Sequence, residues 1–78
     1  MVTMRAYILV NFAADTDLSK ARHALNRPGV TALDLVMGPY DAIVTCDVAD
    51  MAELSKLSVM VRGCPGIRDT ITCPTVEA

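Results

Sequence analysis

The chain has 78 residues, of which 53% are hydrophobic, and a formal net charge of −2 with a sequence pI of about 5.0. A chain of this length forms one small domain that buries only about two-thirds of its unfolded surface, so this apolar fraction indicates that a second copy covers part of it. The acidic balance, the scattered cations and only three aromatic residues argue against a nucleic-acid-binding protein, which typically needs a basic stripe and stacking side chains.

The sequence also shows no targeting or membrane signal. The apolar run over residues 6–10 is too short for a signal-peptide core or a membrane span, and polar Asn11 follows it. The three cysteines, Cys46, Cys64 and Cys73, cannot all pair within one chain. We therefore expect reduced thiols and a cytoplasmic protein.

The first strand is predicted over residues 4–12. Alternate residues from Ala6 to Phe12 are apolar, and so are Tyr7 and Leu9 between them. Because both faces of this strand are largely apolar, it reads as a central strand that is covered on two sides.

A first helix is predicted after a polar loop, with an N-cap at Thr16 or Asp17. Pro28-Gly29 ends it, and Arg27 near its end suits the negative pole of the helix dipole. Its apolar stripe, read from the helical spacing, consists of Leu18, Ala21 and Leu25.

A hairpin is predicted in the middle of the chain. Residues 30–37 alternate as a second strand, and residues 41–48 form a third that is apolar on both faces for most of its length. Between them, Pro39 has its φ preset for the second position of a tight turn, and Gly38 tolerates the geometry imposed before a proline. Asp41 opens the outgoing strand.

A second helix and a fourth strand complete the chain. Asp50 and Glu53 resemble a capping box at the helix start, and Pro65-Gly66 ends the helix. The helix stripe consists of Leu54, Leu57 and Val61. Residues 67–73 form the strand, and Pro74 should end its pairing. The two sides of this strand are predicted as Ile67, Ile71 and Cys73 against Arg68, Thr70 and Thr72.

The predicted order is strand-helix-strand-strand-helix-strand, with a faint internal duplication. Pro28-Gly29-Val30 and Pro65-Gly66-Ile67 are the same helix exit, and the cap-to-proline distances predict a second helix about one turn longer. Two βαβ halves of this kind form an α+β, ferredoxin-like fold, with a four-stranded antiparallel sheet and both helices on one face. The uncovered face predicts sheet-to-sheet pairing of two copies.

The sequence gives little support for catalysis or for a bound cofactor. The dispersed cysteines contain no Cys-x-x-Cys pair, and the single histidine, His23, lies on the polar side of the first helix. No Gly-rich phosphate loop or nucleophile elbow is present. We therefore expect no cofactor, no metal and no catalytic residue.

Together these residues resemble the ligand-binding (RAM) domain of the Lrp/AsnC (feast/famine) transcriptional regulators. The resemblance covers nearly the whole chain and rests on residues 6–10, the turn at 36–41, the two Pro-Gly exits and residues 69–72. It implies a dimeric α/β sandwich with its sheets paired, and dimers gathered into larger rings. Family regulators carry a helix-turn-helix domain ahead of this one, whereas this chain begins at the first strand. We therefore expect a single stand-alone domain over residues 1–78.

In such proteins the effector, typically an amino acid, lies in a cleft between neighbouring dimers. Carried over residue by residue, the resemblance implies ligand contacts from Gly38, Pro39, Tyr40, Asp41, Met51, Thr70, Thr72 and Cys73. A simpler interpretation makes Asp41 a cap for the turn amides, and Thr70 and Thr72 ordinary strand residues.

Three functional hypotheses follow. The leading one is a non-enzymatic regulatory module that binds an amino acid or similar metabolite between subunits. The alternative is a bare oligomerisation partner that co-assembles with full-length Lrp/AsnC regulators and tunes transcription. A small dimeric α/β-barrel enzyme ranks last, because the chain offers one surface histidine and no paired catalytic groups. The sequence leaves the ligand and the ring size open.

Overall fold

The structure, a computed structural model, describes residues 3–76 and has the predicted order of elements. The strands are β1 (Met4–Phe12), β2 (Val30–Leu35), β3 (Ala42–Val48) and β4 (Ile67–Pro74), and the helices are α1 (Leu18–Leu25) and α2 (Met51–Arg62). The strands form one antiparallel sheet in the order β2-β3-β1-β4. This is the predicted ferredoxin-like fold.

Both helices begin at the predicted caps. The Asp17 side chain accepts hydrogen bonds from the amides of Ser19 and Lys20, and the Asp50 side chain accepts one from the amide of Glu53 at 2.9 Å. These bonds satisfy amides that the first helical turn leaves without a partner. α2 has 12 residues and α1 has 8, which confirms the predicted difference of one turn.

The duplicated Pro-Gly exits form matching turns at residues 27–30 and 64–67. In each turn, the amide of the last residue donates to the carbonyl of the first, at 3.0 Å and 3.3 Å respectively. Gly29 and Gly66 have φ of 97° and 86°, a conformation that side chains other than glycine disfavour. Proline followed by such a glycine is the signature of a type II turn.

The core lies between the helices and one face of the sheet. From the central strands it takes Ala6, Ile8, Val10, Phe12, Ala42, Val44, Cys46 and Val48, and from the helical layer Ala21, Leu25, Leu54, Leu57, Val61 and Cys64. The alternation predicted for β1 and the stripe predicted for α2 are thus confirmed. The other face of the sheet, which we call the open face, carries no helix within residues 3–76.

The predicted tight turn is wrong. β2 ends at Leu35 rather than at Met37, and residues 37–41 form a wider bend. The amide of Val36 donates to the carbonyl of Asp41 at 2.9 Å and closes this loop at its base. The amide of Asp41 donates in turn to the carbonyl of Val10, so Asp41 is held by β1 and the loop must span the gap from β2.

The sides predicted for β4 are partly wrong because the pairing of β1 with β4 contains an irregularity. Ile67 pairs with Phe12, whereas Asp69 pairs with Asn11, so Arg68 is an extra residue in β4. The shift moves Ile67 to the helix side, where it packs against the core.

Two further sequence predictions need correction at the ends of elements. Leu18, expected in the stripe of α1, is 49% exposed because it is the first residue of that helix. Pairing also continues past Pro74, since the amide and the hydroxyl of Thr75 both donate to the carbonyl of Arg5.

Candidate functional site

The loop at residues 36–41 forms the first part of the candidate site. It lies at the end of the sheet where β1 finishes and β3 begins. The Met37 side chain is fully exposed, and a Cβ added to Gly38 would meet no atom within 4 Å. The backbone around Gly38 is therefore open to approach by another molecule. Pro39 is exposed beside it, and Tyr40 is half-buried.

Asp41 anchors this loop and keeps one carboxylate oxygen available. Its Oδ2 accepts a hydrogen bond from the amide of Phe12, the last residue of β1, at 2.9 Å, so this oxygen binds the end of a strand rather than an amide of the turn. Within residues 3–76, Oδ1 accepts no hydrogen bond. Asp41 borders a hollow of about 380 Å³ whose other walls are Phe12, Ala13, Ala14, Thr16, Leu18, Leu35 and Val36. A carboxylate beside apolar side chains suits a ligand that carries both an ammonium and an apolar group.

A groove between α2 and β4 forms the second part, with a volume of about 270 Å³. Its walls are Met51, Leu54, Ser55, Ser58, Val59, Arg62, Thr72 and Pro74. Two hydroxyl groups meet across it, since Ser58 Oγ and Thr72 Oγ1 lie 2.8 Å apart. Among residues 3–76, Arg62 is the one charged side chain that lines it. The groove therefore offers hydroxyls, one cation and an apolar wall.

The loop and the Met51 end of the groove do not meet within one chain. The loop leads into Ala42, whereas α2 begins with Met51 just after β3 ends at Val48. β3 has 7 residues, so its two ends are separated by roughly 20 Å. This separation exceeds the length of a free amino acid, and one molecule of that size cannot contact Asp41 and Met51 of the same chain.

The eight predicted contact residues therefore fall into separate groups. Gly38, Pro39, Tyr40 and Asp41 stay together in the loop, and Met51 and Thr72 share the groove. Thr70 lies on the helix side of β4 beside Val10, outside the groove lining. Cys73 pairs with Tyr7 on the open face and points away from Thr72.

The sequence reasoning missed Ser55, Ser58 and Arg62. The signal was present, because these three residues and Met51 follow one another at helical spacing on a single face of α2. That these residues line a groove can be recognised only once β4 is known to lie beside that face of α2.

The open face carries an apolar centre and a polar rim. Leu9 pairs with Ile43 on one side and with Ile71 on the other, and Ile71 is 46% exposed. Tyr7 lies next to Leu9 along the same face of β1. An apolar centre of this kind within a polar rim is typical of protein–protein interfaces.

Charged groups at the rim are paired with their neighbours. Arg5 donates to Asp47 at 3.4 Å, and this bond raises the pKa of the guanidinium group. At the other end, the Asn11 side-chain amide donates to Asp69 at 3.0 Å and, together with Arg68, lowers the pKa of that carboxyl group. Asp34, which pairs with Ile43 on the same face, is the exception, because its side chain has no such partner within residues 3–76.

The remaining thiols show no feature of a reactive or metal-binding site. Burial raises the pKa of the Cys46 thiol, which donates to the carbonyl of Ala6 at 3.4 Å, and Cys64 is buried in the core. Residues 3–76 contain no group of three or more metal-ligating side chains. In the same range, no helix is both long and apolar enough to cross a membrane.

Comparison with known sequences and structures places these features in context. A sequence profile described as Lrp/AsnC ligand binding domain matches residues 5–78. No curated protein matches the chain. The fold is similar to that of a transcriptional regulator from Neisseria meningitidis in complex with L-Met, with a TM-score of 0.87 and 17% identity over 95% of this chain and 50% of that one.

Two other solved structures show the same similarity. A hypothetical protein from Pyrococcus horikoshii has a TM-score of 0.80 and 26% identity over 96% of this chain and 92% of its own. A feast or famine regulatory protein from M. tuberculosis, complexed with L-methionine, has a TM-score of 0.79 and 17% identity over 96% and 51%. The chain thus spans about half the length of the two regulators and nearly all of the Pyrococcus protein.

Proposed function

The chain belongs to the Lrp/AsnC ligand-binding domain family, and from this premise we propose that it is a non-enzymatic regulatory module that binds an amino acid or a similar small metabolite between subunits. The regulators from N. meningitidis and M. tuberculosis were solved with L-methionine, which supports this class of ligand. As part of this proposal, the protein acts in the cytoplasm.

One observation carries the proposal. The two parts of the candidate site have complementary chemistry, since the loop offers the Asp41 carboxylate and the groove offers the Arg62 guanidinium. A free amino acid has an ammonium group and a carboxylate that match these two charges. Because one chain holds Asp41 and Met51 roughly 20 Å apart, we propose that a complete site takes the loop from one copy and the groove from another.

Assembly through the open face is part of the same proposal. A second copy that covers Leu9, Ile43 and Ile71 removes apolar surface from water, at about 25 cal/mol per Å². The open face and the two ends of the sheet are different surfaces, so a dimer paired through its sheets still exposes loops and grooves. We propose that such dimers join through these ends into a ring, which creates the clefts that hold the ligand.

The variant Asp41→Asn tests whether the Asp41 charge is needed for ligand binding, while it keeps the structure of the loop. The asparagine carbonyl can still accept from the amide of Phe12, so we expect the variant to fold with nearly the wild-type Tm. It loses the negative charge that the ligand ammonium requires. For the wild type, an amino acid at about 100 times its Kd should add roughly 2.7 kcal/mol of stability. In a thermal-shift screen of free amino acids, we expect that stabilisation to disappear in Asp41→Asn.

Lys56→Gln is the matched control, because it also removes one exposed charge and lies outside the loop and the groove. It should keep the full ligand-induced shift. An equal shift in Asp41→Asn and the wild type would remove Asp41 from the site. If no amino acid stabilises the wild type, the sensor proposal fails. The alternative, an oligomerisation partner of full-length regulators, then remains, and it rests on the family match over residues 5–78.

A further inference from the structure

A large groove runs along the outer edge of β2, remote from the open face and from the α2–β4 groove. It has a volume of about 810 Å³ and lies between α1 and β2. Lys20, Arg22 and His23 line it from the helix, and Thr31 and Leu33 line it from the strand. We call it the basic groove.

The charge of this groove is unbalanced. Within the part of the chain that the structure describes, residues 3–76, no aspartate or glutamate lines it, although the chain as a whole has a net charge of −2. The ion pairs found within residues 3–76 involve Arg5 and Arg68, so Lys20, Arg22 and His23 take part in none of them. A partner that complements this groove must carry negative charge.

The edge of β2 supplies a second, independent feature. β2 is the outer strand of the sheet and pairs with β3 alone. Alternate residues of an edge strand direct their N–H and C=O groups away from the sheet, where they can pair with an added strand. The Thr31 hydroxyl donates to the carbonyl of Thr45 at the point where the pairing of β2 with β3 shifts register, so the regular edge of β2 runs from Ala32 to Leu35.

The positive charge of the basic groove also limits which kind of molecule can bind there. If β2 paired with β2 of a second copy, the two sets of Lys20, Arg22 and His23 would approach each other, and like charges repel. A single-stranded nucleic acid is disfavoured because no aromatic side chain lines the groove to stack on its bases. An extended protein segment can form backbone hydrogen bonds with the free edge of β2, and its acidic side chains can form ion pairs with the basic side chains of α1.

We propose that the basic groove binds an extended acidic segment of a partner protein, which adds a strand to the free edge of β2. The backbone pairing supplies the register, and acidic side chains on the helix side of the added strand contact α1. This interaction is independent of ligand binding at the loop and the α2–β4 groove.

The test uses the full chain and a fluorescent peptide of alternating glutamate and valine, as long as β2. We expect the fluorescence anisotropy to rise on binding at low salt, and the affinity to fall as the salt concentration increases. The paired change Lys20→Glu/Arg22→Glu should weaken binding at least about tenfold. Lys56→Glu, the same type of charge reversal on α2, should have little effect, and a lysine-valine peptide should not bind.

Backbone pairing is tested with the acidic peptide N-methylated at alternate residues, which keeps its charge but removes the donors for strand addition. We expect this peptide to bind at least about tenfold more weakly. The proposal is overturned if the acidic peptide does not bind, if the N-methylated peptide binds equally well, or if charge reversal in the groove leaves affinity unchanged. A competition experiment gives a further test. The proposal is also contradicted if a single-stranded oligonucleotide of equal charge displaces the fluorescent peptide at a lower concentration than an unlabelled acidic peptide does.

Discussion

Leu9→Asp is expected to convert the assembled protein into a monomer with a lower Tm. Leu9 lies in the centre of the open face, with Ile43 and Ile71 as its cross-strand neighbours. If a second copy covers this face, the new carboxylate is buried without a partner, which costs several kcal/mol. The dissociation constant should then rise by about 100-fold or more. Analytical ultracentrifugation over a dilution series measures this change directly.

Val76→Asp is the matched control for this prediction. Val76 is also an aliphatic residue, but it is 91% exposed and lies beyond the end of β4. Its replacement introduces the same charge and should leave the assembly unchanged. If Leu9→Asp sediments like the wild type at every concentration, the open face is not the surface through which copies associate.

Gly66→Ala is expected to cause the largest loss of monomer stability. The φ of 86° at Gly66 disfavours any residue with a Cβ, by about 1–2 kcal/mol. In addition, the new Cβ would lie 2.5 Å from Cγ2 of Thr16. Thr16 cannot easily turn away, because its hydroxyl donates to the carbonyls of Ala13 and Gly66. We therefore expect a total loss of about 3 kcal/mol or more in the free energy of unfolding.

The internal duplication provides the control for this experiment. Gly29 occupies the equivalent turn with a φ of 97°, but a Cβ there would have its nearest contact, the carbonyl oxygen of Asp47, at 3.5 Å. Gly29→Ala should therefore show the backbone cost alone, about 1–2 kcal/mol. Urea denaturation of both variants measures the difference. Equal losses would mean that the contact between Gly66 and Thr16 contributes little.

The sequence predicted those parts of the fold that depend on local chemistry. The caps at Asp17 and Asp50 and the two Pro-Gly exits act within a few residues of the chain, so their signals can be read directly. The alternation along β1 likewise predicted which of its residues face the helices. The errors arose where distant strands decide the outcome. Ile67 changes sides because of a register irregularity against β1, which no pattern within β4 reveals.

The candidate site shows the same division. The loop residues and Met51 could be named from the family resemblance, and the Ser55-Ser58-Arg62 stripe could have been read from helical spacing. The separation of Asp41 from Met51 could also have been read, because the predicted third strand lies between them. The position of that face of α2 beside β4 could not be read, because it depends on how the strands are arranged. A single sequence also carries no direct record of which surfaces of two copies meet, so the completion of the site between subunits is an inference from the structure.

We propose that each ligand site combines the loop of one copy with the α2–β4 groove of another. Two variants interrupt the two parts separately: Asp41→Asn removes the charge of the loop, and Ser55→Trp fills the groove. Each variant alone should assemble, as judged by native mass spectrometry, and should bind no amino acid. When the two chains are refolded together, random mixing should restore about one quarter of the sites, because each site then draws its two parts independently.

Isothermal titration calorimetry of the co-refolded sample, with an amino acid that binds the wild type, measures the number of restored sites. Recovery of binding near the expected fraction supports a site shared between copies. Mixed assemblies that form but show no recovered binding would contradict it, since a site built within one chain cannot be repaired by a neighbour.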